Sequence, residues 1–103
     1  MKHFNKLVRD RIPEIIRADG KNPVTHIITE DQEYLEKLYE KDIEESEELR
    51  QNPSLEELVD KLEVLLAIGK VLGFSPEDIE QARLKKADER GAFNKRIFLE
   101  RTD

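Results

Sequence analysis

The sequence predicts an all-α domain: an antiparallel bundle of three main helices, with a short N-terminal helix and extended N- and C-terminal segments. Three observations lead there. Ser or Thr capping patterns at Thr29, Ser54 and Ser75 each open a run of helix length. Apolar residues within those runs recur at three- and four-residue spacing. Finally, 103 residues suit a single domain spanning 1–103, yet only 37% are apolar and 41% are charged. Such a core is modest, and completion by oligomerisation is expected, with a homodimer as the first expectation and a higher homo-oligomer open. The high charge fits a protein of high-temperature habitat equally well.

Each element has its own local signals. Asp10 can cap a short helix that places Ile12, Ile15 and Ile16 on one side, with Pro13 tolerated in the first turn. Ala18–Pro23 is a turn. Val24–Ile28 is β-branched and favours an extended path; His26 within it reads as a packed or surface side chain rather than a ligand. Thr29 and Gln32 form a capping-box pattern opening the first long helix. Leu35, Leu38, Tyr39, Ile43 and Leu49 share one broad face, and Asp42 and Ser46 interrupt it, a conflict that apolar packing does not explain. Asn52-Pro53 breaks the chain, and Ser54 with Glu57 opens the second long helix. Leu58, Leu62, Leu65, Gly69 and Leu72 make one apolar stripe and Val64, Ile68 and Val71 another. Gly73 suits the position after a helix end. Ser75-Pro76 opens the third long helix, which runs from acidic to basic and ends at Gly91. Phe93–Glu100 is expected to be extended and able to pair with Val24–Ile28.

Composition excludes several chemistries. There is no cysteine, hence no disulfide, thiol nucleophile or cysteine-held metal, and a reducing compartment is expected. The two histidines are too few for the usual zinc sites. With no apolar run of signal-peptide or membrane-spanning length, the expectation is a soluble, cytoplasmic protein. The formal charge of −6 is segregated: residues 30–60 carry thirteen Asp and Glu against Lys37, Lys41 and Arg50. That acidic centre argues against nucleic acid as a partner.

The acids are also patterned. Glu45 and Glu48 are one turn apart, as are Glu57 and Asp60. Traced backwards, the Val64/Ile68/Val71 stripe runs into Asp60 and Glu57, so these acids begin a stripe that is otherwise core. Unpaired carboxylates at a seam are costly. A solvated acidic face remains the plain alternative. If the two helices fold back on each other, Glu45, Glu48, Glu57 and Asp60 can surround one cation. An oxygen-only set suits Mg²⁺, with Mn²⁺ as a substitute. Such a site can hold a nucleoside triphosphate, with Glu44 accepting a proton from water. Lys86 and Arg90, one turn apart, can contact phosphate oxygens; the helix dipole accounts for them equally well.

Glu44-Glu45-x-x-Glu48 followed by Glu57-x-x-Asp60 resembles the signature of the MazG-like, all-α nucleoside triphosphate pyrophosphohydrolases. That superfamily includes the phosphoribosyl-ATP pyrophosphohydrolases and the dimeric dUTPases. The flanks Lys6–Pro13 and Lys86–Phe93 look like the ends of short phosphoribosyl-ATP pyrophosphohydrolase-like proteins. The resemblance implies an oligomeric helical fold and Mg²⁺-dependent cleavage between the α- and β-phosphates, giving a monophosphate and pyrophosphate. It implies Glu45, Glu48, Glu57 and Asp60 as metal ligands, and Glu44 as a base or outer-shell group. Lys86 and Arg90 become phosphate contacts, joined more weakly by Lys6 and Arg9. Three features depart from the pattern: the eight-residue gap between Glu48 and Glu57, the polar Asp42 and Ser46, and Lys61 after Asp60. They keep open a second reading, a non-catalytic helical module that binds nucleotide or a protein partner.

Overall fold

A computed structural model describes residues 2–103 as four helices: α1 (Ile12–Ala18), α2 (Asp31–Gln51), α3 (Leu55–Val71) and α4 (Pro76–Arg90). The expected all-helical architecture is present. The helix starts differ in detail from the expected caps. α1 begins after Arg11, which makes no side-chain cap bond, so Asp10 is not its cap. α2 begins after Glu30, also without a side-chain cap, so the Thr29–Gln32 box does not form. At 21 residues α2 holds itself through its own ladder and its packing, and one missing cap bond costs only about 1 kcal/mol. Ser54 does cap α3, accepting from the Glu57 backbone N–H at 3.2 Å. The return bond from the Glu57 carboxylate is absent, which leaves that side chain free for another role. At Ser75 both halves of the box close at 3.0 Å.

α2 and α3 form an antiparallel hairpin across the tight Asn52–Ser54 connection. Its seam holds the only buried apolar side chains among the described residues, Leu38 and Val64. Asp42 and Ser46 lie on this seam, and Lys61 of α3 reaches both. Lys61 Nζ donates to Asp42 Oδ1 at 2.6 Å and to Ser46 Oγ at 2.7 Å. The polar break in the α2 face is therefore answered by the one basic residue that breaks the α3 face.

α4 does not lie along the hairpin as a full third member. It meets α3 at their shared turn, where Gly73 (φ 92°) reverses the chain in a conformation a side chain would strain. A Cβ on Gly69 would lie 2.6 Å from Ile79 Cδ1, the mobile end of that side chain, so Ile79 packs directly onto the glycine. The rest of α4 is exposed apart from Ala87.

The expected pairing of Val24–Ile28 with the C-terminal tail does not form. There is no strand among the described residues, and Val24, Ile27, Ile97, Phe98 and Leu99 are all exposed. Two short segments without a sheet or helix to pack on gain too little from pairing.

The single chain is far from closed. Its accessible surface is 9807 Å², against about 6,000 Å² for a compact monomer of its mass. Its radius of gyration is 17.8 Å, against roughly 13 Å. Much of the excess is apolar: Ile43 on α2 and Leu55, Leu58, Leu62 and Leu65 on α3 are exposed together. No helix of the described residues is long and apolar enough to cross a membrane.

Candidate metal centre

The hairpin brings three carboxylates together. Glu45 comes from the middle of α2, and Glu57 and Asp60 from the first two turns of α3. One oxygen from each lies within 4.8 Å of the others. The convergence follows from the short connection: Ser54 starts α3 on a defined residue, and the antiparallel return carries its first turns past Glu45. Glu57 and Asp60, three apart, then share the face that continues into Val64.

The environment is not that of a solvated acidic face. Glu45 is only 6% exposed, and its Oε2 has no hydrogen-bond partner. The Oε2 of Glu57 is likewise buried and unpartnered. Unsatisfied buried carboxylate oxygens are rare because each forfeits its hydration. Both pKa values are raised, first by desolvation and next by the charge of Glu48, with Asp60 adding to the effect. Lys41, 3.5 Å from Glu45 Oε1, offsets part of this for Glu45. The donor set, three hard carboxylates with two unused buried oxygens, fits a divalent cation such as Mg²⁺ or Mn²⁺.

Glu48 is not among the three whose oxygens converge, but its side chain lies against that of Glu57. Glu48 is exposed, one turn along α2 from Glu45. Its charge nevertheless reaches both Glu45 and Glu57. Glu44 also differs from expectation. Lys6 Nζ donates to its Oε1 at 2.8 Å and Lys41 lies 3.5 Å from its Oε2. The Lys6 hydrogen bond foremost holds its pKa below the usual glutamate value, which makes Glu44 a weaker proton acceptor than the sequence suggested.

Of the expected phosphate contacts, Arg9 reaches the acidic centre and Lys6 the neighbouring Glu44. The segment before α1 passes over the hairpin, with Lys6 on Glu44 and Arg9 Nη2 on Asp60 Oδ1 at 2.8 Å. Lys86 and Arg90 do not. They are exposed on α4 and make no ion pair or hydrogen bond with the acids among the described residues. The reason is geometric: α4 touches α3 near Gly69, twelve residues or about 18 Å along the helix from Glu57.

Lys41 was missed as a site residue, although its position three and four residues before Glu44 and Glu45 is the signal that finds it. Beside it lies a cleft of about 240 Å³ between the N-terminal segment and α2. Phe4, Lys6, Leu7, Lys37, Glu40, Lys41 and Glu44 line it, so one aromatic ring and three ammonium groups stand there beside two carboxylates, with Lys37 paired to Glu40 at 3.3 Å.

No family model matches the chain, and no solved structure matches it. A protein of Mycolicibacterium smegmatis, described as uncharacterized, is 53% identical over 45 residues, which is 44% of this chain and 45% of that protein. The chain thus spans under half the length of this relative.

Proposed function

We propose that the protein is a Mg²⁺-dependent nucleotide pyrophosphohydrolase that converts nucleoside triphosphates, non-standard ones included, to a monophosphate and pyrophosphate. The observation that carries this reading is the convergence of Glu45, Glu57 and Asp60, with two buried oxygens left without partners. The resemblance of the acidic motif and of both flanks to MazG-like enzymes supports the choice of reaction. MazG-like membership is part of the same proposal.

In this reading Glu45, Glu57 and Asp60 would hold the metal, with Glu48 beside Glu57. A bound Mg²⁺ supplies charge neutralisation for the triphosphate and makes a water more acidic. Glu48 is the better-placed proton acceptor, because Glu44 is neutralised by Lys6 and Lys41. Lys6, Lys37 and Lys41 meet the anionic end of the substrate in the adjoining cleft. Lys86 and Arg90 serve a site only if another copy of the chain brings them there. The uncovered apolar face of α2 and α3 supports such a homo-oligomer.

The test is a turnover screen over standard and damaged nucleoside triphosphates with a pyrophosphate readout. The expected result is Mg²⁺-dependent release that Glu45→Gln and Asp60→Asn each reduce by at least 100-fold while the helical circular dichroism persists. Equal turnover in all three proteins overturns the assignment. The alternative, a nucleotide-binding module without catalysis, draws on the ion pairs that already neutralise Glu44 and Asp60. Binding of a nucleotide without turnover selects it.

A further inference from the structure

Residues 2–9 have no regular structure, and Leu7 is the only one that is even half-buried. Two side-chain bonds tie this segment to the hairpin: Lys6 to Glu44 and Arg9 to Asp60, both at 2.8 Å. The two anchors differ in kind. Glu44 lies outside the three converging carboxylates, whereas Asp60 is one of them. Arg9 therefore sits on an oxygen-bearing group that a divalent cation would claim, beside Glu45 and Glu57, whose buried oxygens have no partner.

We propose that Arg9 is the resident counter-ion of the metal-free centre, and that a divalent cation binding at Glu45, Glu57 and Asp60 displaces it. The inference rests on the metal-centre reading above. The physical basis is competition for one charge. In the metal-free protein the guanidinium neutralises Asp60, the partner it can reach, and holds the N-terminal segment down. A dication at the same carboxylates repels the guanidinium and takes over the Asp60 charge. Lys6, bound to an acid outside the centre, keeps its anchor. The segment then stays tethered at Lys6 while Arg9 swings free above the open side of the site. There its planar, permanently charged fork is available to an anionic group entering with the metal. An Arg suits this exchange because its charge is permanent. The ion pair is half-exposed, with Arg9 at 53% and Asp60 at 32% side-chain exposure, so breaking it is inexpensive.

The experiment is Mn²⁺ binding followed by the electron paramagnetic resonance of free Mn²⁺, on the wild-type protein, Arg9→Ala, Lys6→Ala and Asp60→Asn. The expected result is that Arg9→Ala binds Mn²⁺ at least threefold tighter than wild type, Lys6→Ala changes less, and Asp60→Asn loses binding. Arg9→Ala binding with equal or weaker affinity, while wild type binds well, overturns the counter-ion role and leaves the metal centre standing. No Mn²⁺ binding by wild type overturns both. A second measurement needs no variant: on adding Mg²⁺ to the wild-type protein, the Arg9 Nε–H resonance shifts towards that of a free guanidinium in NMR. A resonance unmoved at saturating Mg²⁺ overturns the displacement.

Discussion

Lys61 of α3 donates to Asp42 at 2.6 Å and to Ser46 at 2.7 Å on α2, so the three residues that break the hairpin's apolar pattern satisfy one another. The link joins positions on either side of the connection and lies beside Glu57, Asp60 and Glu45. It sets which turn of α3 faces which turn of α2. Removing Lys61 alone should be costly, because a half-buried carboxylate and hydroxyl are left facing each other. Lys61→Met is expected to lower stability by about 1–2 kcal/mol in urea titrations at fixed protein concentration. The triple change Lys61→Met, Asp42→Leu, Ser46→Ala should recover most of that loss. A triple variant less stable than the single one contradicts the pairing.

Metal binding should show directly in thermal stability. A ligand that binds only the folded state contributes about 2.7 kcal/mol at a concentration 100 times its dissociation constant. Mg²⁺ at that excess should therefore raise the melting temperature by roughly 10 °C or more for a chain of this size. Glu45→Gln and Asp60→Asn should abolish the shift. Glu48→Gln should keep most of it, because Glu48 lies outside the three converging oxygens. A Glu48 variant as defective as the other two restores the four-ligand centre that the sequence suggested.

The same carboxylates predict a pH dependence. Glu45 and Glu57 have raised pKa values in the folded chain, so the folded state holds more protons than the unfolded one above the ordinary glutamate value of 4.5. Their charged forms therefore destabilise the metal-free protein at neutral pH. That penalty is relieved as the pH falls through the raised values towards 4.5. Glu44 works in the opposite sense, and its stabilisation is lost only as the pH falls below 4.5 through its lowered value. Glu45→Gln should accordingly raise metal-free stability at pH 7 and flatten the profile above pH 4.5. Denaturation midpoints across that range, with chelator present, provide the check.

Ile79 of α4 packs onto Gly69 of α3. Gly69→Ala gains about 1 kcal/mol of helix propensity but puts a methyl group into Ile79 Cδ1. Because Cδ1 is the mobile end of the Ile79 side chain and can turn aside, the expected net effect lies between neutral and a stabilisation of about 1 kcal/mol. Combining it with Ile79→Val, which removes the obstructing methyl, should give a protein more stable than the sum of the two single changes implies. Strict additivity contradicts the close approach.

Ile43, Leu58, Leu62 and Leu65 are exposed on one chain. If a second copy covers them, Leu62→Glu should lower the mass seen by sedimentation equilibrium to that of one chain. If the face is free, the same change should leave both mass and stability nearly unaltered.

Much of this architecture was legible in the sequence because it is local. Ser54 and Ser75 cap the helices they precede, Asn52-Pro53 turns the chain, and apolar spacing marks α2 and α3. Two weaker signals failed: α2 starts one residue later than a Thr29 cap requires, and Ile97–Leu99 has no sheet to join. The stripe running from Val64 back to Asp60 and Glu57 points the acids into the hairpin seam from periodicity alone. Which acids share a helix face could be read from the chain alone, because it depends only on 3.6-residue periodicity. The packing of separate helices was needed to bring Glu45 onto Glu57 and Asp60 with Glu48 beside them, and to place Arg9 on the centre and Lys6 on Glu44 while Lys86 and Arg90 stay away. Those outcomes depend on the register and crossing of separate helices, set by contacts such as Lys61 with Asp42 and Gly69 with Ile79, which no single segment encodes.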